Sequence, residues 1–409
     1  MPQKTALISG AGVAGPTAAF WLNAVGWKTT IVERAPGPRE GGYVIDFWGL
    51  GYELARRMGL LGEIERVGYH VRELRVVGDH GERLAGFGTS VFDELAGDRY
   101  ITLARRDLSR LLLGAAAPLT DIIFGDEIAA LSQDADGVSV QLHGGSARRF
   151  DLVVGADGLH SQVRRLAFGP DEQFDKSLGY IVAAFEAQDY RPRDPDIYMM
   201  HGKPGRMLGR FTLRDNKSLF LFVVAFDGAL PATLDEQKKV LDSLYRSDGW
   251  ESAKILRRLE TAQDLYIDRV SQIVAPSWSK GRVVLVGDAA FCPSLLAGQG
   301  SALAIVAAYV LAGELARSHG RIDEAFAAYE RLLRPYIATK QAGAARFAGA
   351  IAPRSRFGLW FRNLVIRSLA IPGLARFTVG REITDRLPLP DYSLHAGPSA
   401  TARLASHAG

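Results

Sequence analysis

The sequence predicts an α/β fold, in which a parallel sheet is interleaved with a mostly antiparallel sheet and followed by C-terminal helices. A strand, a glycine-rich turn, a helix and a second strand follow one another within residues 5–33. Two later apolar strands, at 152–155 and 283–286, each lead into an aspartate beside a glycine. Residues 179–228 instead show the alternation and the aromatic content that are typical of antiparallel strands.

The composition is that of a globular chain. It has 409 residues, of which 47% are hydrophobic and 23% charged, a length that favours two or three subdomains. The net charge of +4 comes without any run of basic residues interleaved with aromatic ones, which argues against a nucleic-acid partner. A single cysteine, Cys292, excludes an internal disulfide framework and cysteine-rich zinc sites, so we predict no metal site.

The N-terminus lacks the charged region and apolar stretch of a secretory signal. No apolar run in the sequence reaches the length that we expect of a membrane span. We therefore predict a cytoplasmic location.

The first 33 residues resemble a dinucleotide-binding unit. Strand 5–9 leads directly into Gly10, Gly12 and Gly15, and Ala14 lies in the same turn. Gly10 suits a tight turn, Gly12 lets the backbone approach a pyrophosphate, and Gly15 lets the helix pack closely on the strand. The free N–H groups at the start of the following helix favour an anion there. Strand, glycines, helix and second strand in this order predict dinucleotide binding.

Glu33 stands at the carboxyl end of the second strand, 29–32. A carboxylate at this position can accept hydrogen bonds from a ribose diol and would repel a 2′-phosphate, which favours NAD or FAD over NADP at this site. Arg34 follows at once. It could neutralise a phosphate or be a solvated strand-end arginine, and the sequence does not choose between the two.

Three motifs resemble those of one enzyme family: GAGVAG at 10–15, DGLHSQVR at 157–164 and GDAAFCPSLLAGQG at 287–300. Their order and separations resemble the group A FAD-dependent monooxygenases, which share the para-hydroxybenzoate hydroxylase fold and include aromatic polyketide hydroxylases and tetracycline-inactivating enzymes. The resemblance covers residues 1 to about 345.

The family fold implies three parts. A Rossmann-like FAD-binding domain of the GR2 type would combine residues 1–70, 101–178 and 280–345. A substrate-binding sheet domain would combine 71–100 and 179–279. Residues 346–409 would form a C-terminal helical segment and tail.

The resemblance also implies roles for residues around FAD. Asp288 would hydrogen-bond the ribityl chain, although an aspartate there could also be a helix N-cap. Asp157 and Arg164 match the motif that contributes to FAD and nicotinamide binding, although Arg164 could be an ordinary surface arginine. Arg105 matches an arginine that contacts the cofactor, and Arg106 could replace it in register.

The long apolar helix at 301–315 would point its N-terminus at the flavin. Amides opened by Gly298 and Gly300, next to Gln299 and Ser301, would face the pyrimidine edge, where the helix dipole stabilises the negative charge of reduced flavin. Pro293 would lie near the reactive ring carbon. Because buried free cysteines are usually inert, we expect Cys292 to leave the FAD non-covalent.

Two departures from the family pattern affect the expected shape above the flavin. Phe291 stands where relatives often have histidine, and we count it among the residues of the pocket. Residues 294–297, Ser-Leu-Leu-Ala, replace a second proline or a glycine pair that often precedes the GQG.

The antiparallel region supplies candidates for the wall of a substrate cavity. Strand alternation means that about half of the following aromatic and methionine side chains face away from it: Phe185, Tyr198, Met200, Phe211, Phe220, Phe222 and Phe226. Asp46 and Trp48 fall on the segment that the family uses where substrate meets flavin, although Trp48 could be simple core. His201 and Arg210 could orient an ionised phenol or enol, although a lone strand histidine is more often structural.

The C-terminal stretch from 352 is basic and amphipathic, and it precedes a proline-rich end that we predict to be poorly ordered. A membrane-surface role is conceivable. We favour packing against the body of the protein, with Trp360, Leu364 and Leu369 filling a groove.

The family resemblance implies a monooxygenase. NADPH or NADH would reduce FAD, O2 would add to form a flavin C4a-hydroperoxide, and one oxygen atom would pass to a small aromatic or polyketide-like substrate. The alternative is a flavin-bound scaffold or cyclase without redox chemistry that binds a small hydrophobic ligand. A flavin halogenase is set aside, because none of the six tryptophans lies in a Trp-x-Trp-x-Ile-Pro segment. We expect a monomer or a homodimer.

Overall fold

The fold was determined as a computed structural model, which describes residues 3–38, 43–88, 91, 99–190, 196–371 and 387–394. The strands of these residues are β1 (Thr5–Ser9), β2 (Lys28–Glu33), β3 (Val44–Trp48), β4 (Glu73–Val77), β5 (Arg83–Gly88), β6 (Tyr100–Ala104), β7 (Thr120–Phe124), β8 (Ile128–Gln133), β9 (Val138–Leu142), β10 (Ala147–Phe150), β11 (Leu152–Gly155), β12 (Asp175–Gln188), β13 (Ile197–Lys203), β14 (Arg206–Thr212), β15 (Lys217–Ala225), β16 (Tyr266–Ile273), β17 (Ser279–Lys280) and β18 (Val283–Leu285).

The helices of the described residues are α1 (Ala14–Ala24), α2 (Gly49–Arg57), α3 (Leu61–Val67), α4 (Arg105–Ala116), α5 (Gln162–Ala167), α6 (Leu234–Tyr245), α7 (Ser252–Thr261), α8 (Asp288–Phe291), α9 (Gly300–Arg317), α10 (Ile322–Ile351) and α11 (Arg356–Leu369). The mixture of parallel and antiparallel sheets with C-terminal helices confirms the predicted α/β fold class.

The first sheet is almost entirely parallel, with the strand order β17-β18-β11-β1-β2-β7. Its central strands are buried and apolar, as expected for a sheet that is covered on both faces. Strand β1 pairs with β2 on one side and with β11 on the other. The carboxyl ends of β1, β2, β11 and β18 therefore meet at one edge of this sheet, and with them the loops that carry the three sequence motifs.

The second large sheet has seven strands in the order β16-β12-β15-β14-β13-β4-β5. All its pairs are antiparallel except β13 with β4. One face of this sheet packs on helices α6 and α7 through an aromatic cluster around Phe220, Phe222 and Tyr245. The opposite face turns toward the parallel sheet.

Two smaller sheets complete the fold. Strands β3 and β6 form an antiparallel pair, and β8, β9 and β10 form a three-stranded antiparallel sheet. The β3–β6 pair carries Asp46 and Trp48.

Among the described residues one helix, α9, is long and apolar enough to cross a membrane, which differs from the expectation that no segment would qualify. Most of this helix is buried inside the protein, where it contacts α1, α2 and α10. Core helices that are apolar on every side have this composition because every side of them is covered by protein.

The helix α11 lies against β5, β13 and the end of α10. Leu369 is buried there, as predicted, but Trp360 is 59% exposed and Leu364 is 46% exposed. The prediction that these two residues fill a groove is therefore wrong. They share the outward face of the helix, whereas the inward face carries Arg362 and Leu369. The predicted proline-rich end falls largely outside the described residues.

Candidate active site

A cavity of about 1950 Å³ lies between the parallel sheet and the inward face of the seven-stranded sheet. A pocket for one drug-sized ligand measures roughly 300–1,000 Å³, so this cavity has room for a dinucleotide and a second molecule. All three predicted motif loops contribute to its lining.

The glycine turn after β1 has the geometry that its sequence predicts. Gly10 has a φ of +103°, and a Cβ there would lie 2.5 Å from the carbonyl oxygen of Ala156. A Cβ on Gly15 would lie 1.9 Å from the carbonyl oxygen of Gly10. A Cβ on Gly12 would meet nothing within 4 Å, because this glycine opens onto the cavity. Gly10 and Gly15 thus allow close packing, while Gly12 leaves space for a ligand.

The start of α1 presents backbone N–H groups to the same space. Its N-cap residue, Val13, provides no side-chain cap, and Ala14 lines the cavity. Uncapped N–H groups at a helix N-terminus attract an anion such as a pyrophosphate.

Glu33 ends β2 and lines the cavity beside this turn. Its Oε2 accepts a hydrogen bond of 2.7 Å from the backbone N–H of Ala11, and its Oε1 accepts one of 3.0 Å from that of Ala35. The carboxylate therefore also holds the glycine turn against β2. Arg34 is exposed and is not among the described residues that line the cavity, which favours the solvated reading.

Asp288 and Arg105 come from distant parts of the chain to the same wall of the cavity. Burial raises the pKa of Asp288, and the positive charge of Arg105 opposes that rise. The N-cap of α8 is Gly287 rather than Asp288, so the capping alternative is wrong and the carboxylate is left to the cavity. Arg106 lines the cavity as well, and it forms an ion pair with Glu186.

The turn before α9 lies beside Asp288. Gly298, Gln299, Gly300 and Ser301 all line the cavity, so the N-terminus of this 18-residue helix faces the space. Pro293 lines it as well.

Ser294 has a φ of +141°, a conformation that favours glycine. Its hydroxyl accepts a hydrogen bond of 3.2 Å from the N–H of Leu296, which holds the turn in this shape. The departure from the family pattern at 294–297 therefore keeps a glycine-like backbone while adding side chains to the cavity wall.

The second motif joins the other two. Asp157 lines the cavity, and its carboxylate accepts hydrogen bonds from the hydroxyl of Ser161 and the N–H of Val163, at 2.5 and 3.0 Å. Arg164 is fully buried rather than a surface arginine, and it donates to the carbonyl of Ala289 at 2.9 Å. This arginine is not among the described residues of the cavity wall, because it clamps the second motif to the third.

Comparison with known proteins matches residues 3–338 to the FAD binding domain family. A flavin-dependent monooxygenase of Legionella longbeachae is 32% identical over 367 residues, which cover 87% of each chain. The flavin-dependent monooxygenase eupH of Phoma sp is 34% identical over 430 residues, covering 96% of this chain and 98% of the relative.

This chain belongs to the FAD-dependent monooxygenases. The crystal structure of tetracycline destructase Tet(55) superimposes with a TM-score of 0.80 at 29% identity, covering 95% of this chain and 99% of that one. The predicted family and the assignment as an oxidoreductase are thereby confirmed.

FAD fits the residues of this monooxygenase's cavity. The open approach at Gly12, the uncapped start of α1 and the carboxylate of Glu33 suit the pyrophosphate and ribose of a dinucleotide. The buried Asp288 and the start of α9 offer an acceptor and a helix N-terminus to the remainder of the molecule.

One part of the cavity, the apolar arm, is walled by the seven-stranded sheet. Tyr198, Met200 and Phe211 line it, as predicted. Met207 and Leu221 lie on the same face and were missed, although both follow from the strand alternation once the register is known.

Four predicted wall residues belong to the opposite face of that sheet: Phe185, Phe220, Phe222 and Phe226. The first three are almost fully buried against helices α6 and α7, and the ring of Phe185 lies 6.1 Å from that of Phe222. Their expected place in the cavity wall is corrected, because each has the strand parity that points away from the cavity.

His201 and Arg210 also point to the helix-covered side and are corrected in the same way. His201 is 2% exposed, and its Nδ1 lies 3.3 Å from the carbonyl oxygen of Val77. Burial lowers its pKa, which favours a neutral structural imidazole. Arg210 donates to Glu251 at 2.5 Å and lies over the ring of Trp250.

Asp46 and Trp48 both line the cavity, as predicted. Asp46 accepts hydrogen bonds of 2.6 Å from the hydroxyls of Tyr100 and Thr102. Burial raises the pKa of its carboxyl group. Trp48, the last residue of β3, lies beside Gly298 in the turn before α9.

Phe291 is buried in the core, where its ring lies 4.7 Å from that of Trp278, and it is not among the described cavity residues. The expectation that Phe291 shapes the pocket is corrected, because its side chain points away from the cavity and packs against Trp278 in the core. The contribution of the inward face of α11, including Arg362, Val365 and Ile366, was missed. The amphipathic pattern of this segment was the available signal.

Proposed function

We propose that this FAD-dependent monooxygenase hydroxylates, or otherwise oxygenates, an aromatic or polyketide-like small molecule at the expense of NADPH or NADH. The balanced reaction joins substrate, O2, reduced nicotinamide and a proton, and it yields oxygenated substrate, oxidised nicotinamide and water. Bound flavin would supply the acceptance of hydride and the activation of O2. The observation that carries the proposal is one cavity that joins the three motif loops to an apolar arm.

The residues at the motif end would hold the cofactor. In the proposal the N–H groups of the Gly12–Ala14 turn bind the pyrophosphate, Glu33 accepts from the ribose, and Asp288 accepts from the ribityl chain. Arg105 and Asp157 would complete this wall. The N-terminus of α9 at Gly300 would stabilise negative charge on the reduced ring.

The cofactor would be bound non-covalently. Cys292 is 1% exposed, and burial raises the pKa of its thiol well above the ordinary value. A protonated, buried thiol is a poor nucleophile.

The apolar arm would place the substrate and keep water out. Tyr198, Met200, Met207 and Phe211 offer an aromatic and thioether surface that suits planar rings. Excluding water protects a reactive oxygenating species from unproductive decay. The structural likeness to a tetracycline destructase supports a substrate with fused rings.

The test begins with the purified protein, which we expect to be yellow, with flavin released by denaturation. A panel of phenolic and polyketide compounds would then be screened for stimulated NADPH and NADH oxidation. A true substrate should gain one oxygen atom by mass spectrometry. Flavin that no nicotinamide reduces would contradict the proposal and favour the scaffold alternative. A cytoplasmic location and a monomeric or homodimeric state remain predictions.

A further inference from the structure

Arg362, on the inward face of α11, is a buried cation in the apolar arm of the cavity. It is 8% exposed and lines the space together with Val365 and Ile366 from the same helix. Met200 and Met207 line the same arm from the sheet. In a mostly apolar pocket, one polar group usually orients the ligand.

In the described part of the chain, two other arginines, Arg164 and Arg210, are fully buried, and each has a carboxylate partner. Arg164 forms an ion pair of 2.6 Å with Asp171, and Arg210 forms one of 2.5 Å with Glu251. Arg362 has no ion pair with any carboxylate in the described part of the chain. A buried charge is costly unless an opposite charge compensates it, so this guanidinium lacks a partner that the other two possess.

The hydrogen bonds of Arg362 go only to neutral acceptors. Nη1 donates to the carbonyl of Ile351 at 2.9 Å, while Nε and Nη2 donate to Oδ1 of Asn363 at 3.2 and 2.9 Å. One N–H on each terminal nitrogen is left without an acceptor among the described residues. Both terminal nitrogens therefore keep donor capacity for an anionic oxygen.

Gly202 on β13 makes room for this guanidinium. It has the same strand parity as Tyr198 and Met200, so a side chain there would point to the cavity. A Cβ at this position would lie 3.0 Å from both Nη1 and Nη2 of Arg362. Because Gly202 has no side chain, the guanidinium can lie against β13 at this position.

We propose that Arg362 forms an anion-binding subsite in the apolar arm, and that the substrate carries a carboxylate or an ionised enol that this guanidinium binds. The inference rests on the proposed function, because it assigns part of the ligand of the same cavity. Burial lowers the pKa of Arg362 to about 10, which keeps it positively charged at neutral pH.

A structural role for Arg362 makes a different prediction. Ile351 is the last residue of α10, and a cation at a helix C-terminus stabilises the helix. This role accounts for one hydrogen bond of Nη1. It gives no reason for a preference between charged and neutral ligands, which is the quantity to measure.

The experiment uses the FAD-loaded enzyme and three matched probe pairs: benzoate and benzamide, naphthoate and naphthamide, and anthraquinone carboxylate and its carboxamide. Changes in the absorbance of the oxidised flavin report binding without NADPH or turnover. For at least one pair, the wild type should bind the acid about tenfold more tightly than the amide, as a charge-assisted hydrogen bond provides.

Arg362→Gln should remove this preference, and Arg362→Lys should keep part of it. Arg356→Gln, a change of an exposed arginine on the same helix, should leave the acid-to-amide ratio unchanged. Gly202→Ala should weaken acid binding by displacing the guanidinium. Gly114→Ala, at a position where a Cβ meets nothing within 4 Å, is its matched control.

No acid binding better than its amide in the wild type would overturn the proposal, as would a preference that survives in Arg362→Gln. A lower melting temperature in Arg362→Gln with an unchanged acid-to-amide ratio would also overturn it, since helix capping alone then explains the residue. Arg362-dependent acid binding without any oxygenated product would leave the subsite standing and contradict the proposed function instead.

Discussion

The two large sheets of this monooxygenase place their cavity residues in different ways. In the parallel sheet these residues follow the carboxyl ends of strands, so Gly12, Glu33, Asp157 and Asp288 meet at one edge whatever the detail of the register. In the seven-stranded sheet they lie along one face, and a shift of one residue moves each side chain to the other side. Position along the chain predicts the first kind of site well and the second kind poorly.

We expect the largest difference between side-chain truncations on the two faces of the seven-stranded sheet, measured by the free energy of unfolding. Phe222→Ala removes a ring packed on Phe185 and Tyr245, and we expect it to lower the free energy of unfolding by about 3–5 kcal/mol. Leu221→Ala, one residue away on the cavity face, should cost only about 1 kcal/mol, because that side chain is half-buried beside open space. Urea unfolding measures both. Equal losses would contradict the assignment of the faces.

The glycine turn of the parallel sheet offers a second contrast. Gly15→Ala places a Cβ 1.9 Å from the carbonyl oxygen of Gly10, so it should lower stability by about 1–3 kcal/mol even without FAD. Gly12→Ala meets no protein atom within 4 Å and should leave the apoprotein as stable as wild type while weakening FAD binding. Thermal unfolding of the apoproteins and titration with FAD separate the two effects. A destabilised Gly12→Ala apoprotein would show that this glycine serves packing instead.

We expect the smallest effect at a contact between the loop after β11 of the parallel sheet and β16 of the seven-stranded sheet. His160, in the second motif, lies 2.9 Å from Oδ2 of Asp268 on β16, and this hydrogen bond raises the pKa of the imidazole above its ordinary value. The protonated form is therefore favoured in the folded state. Its contribution is fully present below about pH 6.5 and is lost as the pH rises through the raised pKa.

Because His160 is half-exposed, solvent screening should limit this contribution to less than about 1 kcal/mol. The stability difference between the wild type and His160→Gln, measured by urea unfolding at pH values from about 6 to about 9, should shrink as the pH rises. A difference that is constant or grows over this range would mean that the ion pair does not form.

The sequence predicted the geometry of the glycine turn after β1. Gly10, Gly15 and Glu33 act within one short βαβ unit, so their spacing along the chain already defines their geometry. Arg164 shows the limit of such a motif. The sequence placed Arg164 in the second motif, but its burial and its hydrogen bond to the carbonyl of Ala289 depend on how two distant segments pack.

The wall of the apolar arm depended on information that is not local. Met200 and His201 are neighbours in the chain, yet the first lines the cavity and the second is buried beside Val77 on the other face. Choosing between them requires the position of the whole strand relative to both sheets. Composition reports that a strand is apolar, but not which layer covers which of its faces.

The amino-acid order alone therefore predicted the fold class, the family and the glycine turn after β1, because strand, glycine and helix signals act over a few residues. The three-dimensional packing assigned the wall of the apolar arm and placed Arg362 opposite Gly202, without a counter-ion among the described residues. The physical reason is that backbone turns are local, whereas burial and charge pairing are properties of residues brought together from far apart in the chain.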